Sequence, residues 1–70
     1  MNNFQEVLEA VRNNPDTKVK VEHQVICDEA VESYFEDFKL LKCVLYNLSL
    51  CFDSDQVAEI LQNGEWEVQP

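Results

Sequence analysis

Residues 3–13 carry Phe4, Val7, Leu8 and Val11 at steps of three and four, with polar residues between them. That spacing lines one face of a helix. Asn3 and Glu6 stand at capping-box separation, where each side chain can take a backbone N–H of the other. Asn13 and Asn14 tolerate the left-handed conformation that ends a helix, and Pro15 prevents its continuation.

The period changes at Thr17. Val19, Val21, His23, Val25 and Cys27 alternate with Lys18, Lys20, Glu22 and Gln24, which predicts a half-buried strand over 18–26. Ile26 falls on its polar side. From Asp28, a plausible cap, the helical period returns. Val31, Tyr34, Phe38, Leu41, Leu45, Leu48 and Phe52 step by three and four, and Phe35 widens the stripe. The unbroken stripe predicts one helix over 28–51, about 36 Å long at 1.5 Å per residue. A rival exists for its second half, because Val44, Tyr46, Leu48, Leu50 and Phe52 also alternate. The absence of Gly or Pro between 31 and 52 favours the helix.

Asp53 and Gln56 form a second capping-box pair, Val57, Ile60 and Leu61 a short stripe, and Asn63-Gly64 a stop. These predict a helix over 54–62. Trp66 and Val68 then share one side of a strand at 65–69, whose natural partner is 18–26, since a lone strand leaves its backbone groups unpaired. The predicted fold is α+β, a single domain over 1–70 with three helices and a two-stranded sheet.

Composition narrows the function. A chain of 70 residues is near the lower size limit for an unaided core. Fourteen acids against five bases leave a net charge of −9, which repels nucleic acid and anionic membranes and permits attraction to a basic protein surface. The longest apolar stretch is broken by Lys42, Asn47 and Ser49, too polar for a spanning helix. No basic-then-apolar signal segment is visible, and the cysteine number is odd. A cytoplasmic setting without disulfides is expected.

Candidate chemistry is sparse. His23 and Cys27 lie about 13 Å apart on an extended strand, too far for one zinc ion. Cys43 and Cys51 are two helical turns apart, so all three cysteines are expected to be buried and structural. Read as a calcium loop, the segment from Asp53 has Ala58 where a Gly is needed and Gly64 where a bidentate Glu is needed. The sole histidine alternates with core-facing valines, and the sole glycine excludes a glycine-rich phosphate cradle. No enzyme activity, metal or cofactor is expected.

Surfaces remain. Glu29, Glu32 and Glu36 fall within about 60 degrees of a helical wheel at 100 degrees per residue. Asp28 and Glu29 also sit where the helix dipole favours an anion. Along a helix those glutamates give a charge about every 5 Å, against roughly one per 1.7 Å in duplex DNA. One helix is too sparse to imitate DNA alone. The expected partner-binding face is Glu29, Glu32, Glu36 and Asp37, joined by Asp55 and Glu59 of the last helix. In composition alone the chain resembles small, very acidic accessory proteins of phages and mobile elements, many of which block host nucleic-acid enzymes or defence systems. The resulting expectation is a non-catalytic inhibitor or regulator that presents carboxylates to a basic surface of a nucleic-acid-binding protein, with nucleic-acid mimicry as its sharpest form.

The alternative is an assembly subunit. Leu40, Val44, Tyr46 and Leu50 fall outside the main stripe, so the second half of the long helix is apolar almost all round and calls for burial. A homodimer is expected there, through Leu41, Val44, Leu45, Tyr46, Leu48 and Leu50.

Overall fold

The computed structural model describes residues 2–69; Met1 and Pro70, the ends of the expected 1–70 domain, lie outside that range. Helix α1 spans Phe4–Asn13 and starts with the expected capping box between Asn3 and Glu6. Its end differs from the expectation: Asn14 is extended, its N–H bonds to Ala10 O, and no non-glycine residue has positive φ among the described residues. Thr17, buried, returns to the same carbonyl through its hydroxyl at 3.4 Å.

Strand β1, Lys18–Glu22, buries Val19 and Val21 and turns Lys18, Lys20 and Glu22 outward. It is shorter than the predicted 18–26. His23 explains why: its Nδ1 accepts the Val25 N–H at 3.0 Å, and its carbonyl accepts the Ile26 N–H at 2.9 Å. This turn consumes backbone groups a strand would need. It also sends Ile26 into the core and leaves Cys27 exposed, the reverse of the alternation.

The predicted helix over 28–51 is two helices with a strand between them. Helix α2 is Glu29–Phe35, capped by the Asp28 carboxylate on the Ala30 N–H. Strand β2 is Lys39–Leu40, and helix α3 runs Leu41–Cys51. The segment 43–51 is therefore helical, as the unbroken stripe favoured. The break has a non-local cause. Lys39 and Leu40 pair antiparallel with Val19 and Lys18, giving β1 a second partner. Lys39 Nζ donates to Tyr34 O at 2.6 Å, satisfying a carbonyl near the end of α2, and sits 4.1 Å from the Tyr34 ring centroid. An uninterrupted helix of about 36 Å would also project beyond a body whose longest extent is 31 Å.

Helix α4, Ser54–Asn63, has the predicted capping box of Asp53 and Gln56. Strand β3, Glu65–Gln69, pairs antiparallel with β1 along its length, from Lys18↔Gln69 to Glu22↔Glu65. The sheet thus has three strands in the order β2-β1-β3, one more than expected. Gly64 joins α4 to β3 with φ −68°, so handedness is not the reason for glycine. A Cβ there would collide with the Ile60 carbonyl and lie 2.9 Å from Val21 Cγ2. The last turn's own carbonyl, and behind it the sheet, leave no room for a side chain.

The buried core joins Val7, Val19, Val21, Ile26, Phe35, Leu41, Val44, Leu48, Ile60 and Trp66. Helix α1 packs on β3, α3 on β1 and β2, and α4 on α3. Phe4 closes over Trp66 with ring centroids 5.2 Å apart, and the Asn2 N–H bonds to Trp66 O at 2.9 Å. No helix among the described residues is long and apolar enough to cross a membrane.

Candidate functional site

The turn after β1, the facing flank of α2 and the start of β3 enclose an open cleft of about 310 Å³. Its apolar lining is Val21, Ile26 and Phe35, and its rim carries Glu22, Glu32, Glu36, Glu65 and His23. Two of the acids arrive by helical spacing and two by strand register. Glu32 and Glu36 are four apart, one turn along the α2 segment. Glu22 is the outward residue ending β1, and its register partner is Glu65, the first residue of β3.

Electrostatically this arrangement opposes folding. Like charges directly across an antiparallel pair are destabilising, as are like charges at i, i+4 on a helix. No lysine or arginine lines the cleft. Two residues along the same ladder, Lys20 faces Glu67 and their charges meet at 3.7 Å, so complementary pairing is available to this sheet.

His23 forms one wall. Its Nδ1 accepts from Val25, so its proton lies on Nε2, which donates to Glu59 Oε2 at 3.0 Å. The same carboxylate oxygen accepts the Asn63 amide at 2.8 Å. Both ring nitrogens are engaged, and in this arrangement the ring offers no free lone pair to a substrate proton or a metal. The Asn63 hydrogen bond first, then that from His23, holds the Glu59 carboxyl below its ordinary value of 4.5.

That depression has a definite sign. Glu59 favours the folded state above its unfolded pKa, and this contribution fades as pH falls through the lower folded value. Denaturant unfolding between pH 7 and 3 should therefore lose less stability with pH in Glu59→Gln than in the unaltered chain. Parallel pH profiles would remove Glu59 from the linkage.

The structure brings only part of the expected acidic face together. Glu32 and Glu36 line the cleft, and Glu59 adjoins it through His23. Glu29, Asp37 and Asp55 are exposed and do not line it. Glu22 and Glu65 were not among the expected residues. Their signal was the pairing of 18–26 with 65–69, once its register is known.

Of the expected self-association residues, Leu41, Val44 and Leu48 are buried in the chain's own core, and Leu45 is half-buried. Tyr46 and Leu50 stand 64% exposed. The expectation of three buried cysteines is corrected: Cys27 and Cys51 are exposed and Cys43 is half-buried, all as free thiols. Among the described residues no three His, Cys, Asp or Glu side chains converge to hold a metal ion. Comparisons with protein-family models, with curated proteins and with solved structures each gave no match.

Proposed function

We propose that this chain is a small, non-catalytic interaction protein whose cleft receives a cationic side chain from a basic protein surface. The observation that carries this reading is the four-carboxylate rim of Glu22, Glu32, Glu36 and Glu65 around an apolar lining. A guanidinium suits such a site, since its flat apolar faces can rest on Phe35 and Ile26 while its N–H groups meet carboxylates. The net charge of −9 would steer a basic partner toward it. Inhibition or regulation of a nucleic-acid-binding protein follows as the role, because such proteins display arginines and lysines for phosphates. Mimicry of nucleic acid is the extended form, in which Glu29, Asp37, Asp55 and Glu59 join the same contact.

The test uses an arginine-rich peptide titrated into isotope-labelled protein at low salt. Amide shifts should concentrate at Glu22, His23, Glu32, Glu36 and Glu65 and weaken steeply with added salt. Shifts spread evenly over all acids would reduce the cleft to an ordinary solvated surface.

A second reading, an assembly subunit associating through apolar contacts, is favoured by the exposure of Tyr46 and Leu50 on α3. Its binding would persist at high salt, which separates it from the first.

A further inference from the structure

His23 joins two parts of the molecule through the two nitrogens of one ring. Toward α4, its Nε2 donates to Glu59 Oε2 at 3.0 Å. Toward its own turn, its Nδ1 accepts the Val25 N–H at 3.0 Å, and the His23 carbonyl accepts the Ile26 N–H at 2.9 Å. These two backbone N–H bonds close the turn over 23–26. The closed turn seats Ile26, buried, in the wall of the cleft beside Val21 and Phe35.

The Nδ1 bond ties closure of the turn to the charge of the ring. A neutral imidazole accepts at one nitrogen and donates at the other, whereas an imidazolium donates at both. Nε2 already carries its proton, so a second proton can enter only at Nδ1. There it would point an N–H at the Val25 N–H, and two donors form no hydrogen bond. The ring can hold that proton or hold Val25. It cannot do both.

The charged groups that face the ring are all acids. Glu59 touches it from α4, Glu22 adjoins it at the end of β1, and Glu65 opposes Glu22 from β3. Glu32 and Glu36 of α2 share the cleft with it, and no lysine or arginine lines that cleft. Nothing on these elements repels a second proton.

We propose that His23 is a proton-operated latch on the cleft. Neutral, it closes the 23–26 turn; protonated, it releases Val25 and with it the Ile26 wall. The Nε2 contact with Glu59 survives the change and becomes charge-assisted, so the ring stays anchored to α4 while the turn lets go. At acid pH the cleft therefore loses part of its apolar wall and gains a positive charge. Both changes disfavour a cationic guest, a consequence that rests on the function proposed above, whereas the latch itself does not.

Imidazoles change charge between about pH 8 and 5, and nitrogen-15 spectra of the labelled chain across that range read the latch directly. As Nδ1 gains its proton, the Val25 and Ile26 amide signals should move with the same midpoint and lose protection from hydrogen exchange. His23→Asn should abolish this transition, because an asparagine Oδ1 accepts the N–H two residues on without titrating. Glu59→Gln keeps an acceptor for Nε2, removes the attracting charge and should shift the midpoint to lower pH. The latch is overturned by an Nδ1 that takes its proton with Val25 undisturbed, or by a ring that stays neutral until the whole fold is lost. Neither reading needs a variant. A Val25 transition that persists in His23→Asn overturns it as well. The arginine-rich peptide should bind about tenfold more weakly at the acid end, and His23→Asn should remove that dependence. A peptide that binds at no pH would sink the proposed function, while the Val25 signal still decides the latch.

Discussion

Trp66→Ala is expected to leave most of the chain unfolded at 25 °C. Trp66 is 0% exposed, the second residue of β3 and opposite Val21 of β1. Truncating a buried tryptophan or phenylalanine costs about 3–5 kcal/mol. A single core in a chain this short supplies only about 3–5 kcal/mol in total. The two magnitudes cancel, so the folded state loses its margin. The loss extends beyond area, because the Phe4 ring packs on Trp66 and ties α1 to the sheet. Trp66→Phe should be far milder. It keeps an aromatic partner for Phe4 and removes the indole Nε1, which is buried with no hydrogen-bond partner among the described residues. Far-ultraviolet circular dichroism in urea measures both, since fluorescence vanishes with the residue. A cooperative transition for Trp66→Ala at an unchanged midpoint would refute this account of the core.

Neutralising the cleft should have two opposite effects in one variant. Glu22→Gln, Glu32→Gln, Glu36→Gln and Glu65→Gln together remove the cross-strand and the i, i+4 repulsions. Such pairs are worth about 0.2–1 and 0.2–0.5 kcal/mol respectively, and their exposure lets salt screen them. A gain of roughly 0.5–1.5 kcal/mol at low salt follows from these ranges. The same variant should lose the arginine-peptide interaction. Stability rising while binding falls is the behaviour of a surface kept unfavourable for its use. If stability does not rise, the acids are too far apart or too wet to repel. If binding survives, the contact lies elsewhere.

The legible parts of this fold are those whose causes are local. Asn3 with Glu6 and Asp53 with Gln56 announce two helix starts through residues three apart, and both boxes form. Val19 and Val21 against Trp66 and Val68 announce the β1–β3 pair by alternation. The interruption after Phe35 could not be read, because Phe38, Leu41 and Leu45 keep helical spacing straight through it. What ends the helix is distant in sequence: the open edge of β1, which Lys39 and Leu40 satisfy. The exchange of Ile26 and Cys27 comes instead from short-range hydrogen bonds to His23, which a two-residue period of apolar positions does not register. In the site, Glu32 and Glu36 were legible by helical spacing. Glu22 and Glu65 meet only through register, which apolar alternation does not specify to the residue.

The two borders of the sheet bear on how any partner can attach. β2 supplies just two paired residues, and Asn2 bridges to Trp66 on the outer side of β3. On the β2 side β1 beyond Val19, and on its outer side β3 beyond Trp66, have no strand partner among the described residues. Such edges offer the main-chain groups that recognition by strand addition uses. The exposed carboxylates of Glu22, Glu65 and Glu67 along these stretches work against a second chain laying itself there edge to edge. Two of the acids that line the cleft, Glu22 and Glu65, thus also guard the open borders of the sheet against fibril-like stacking.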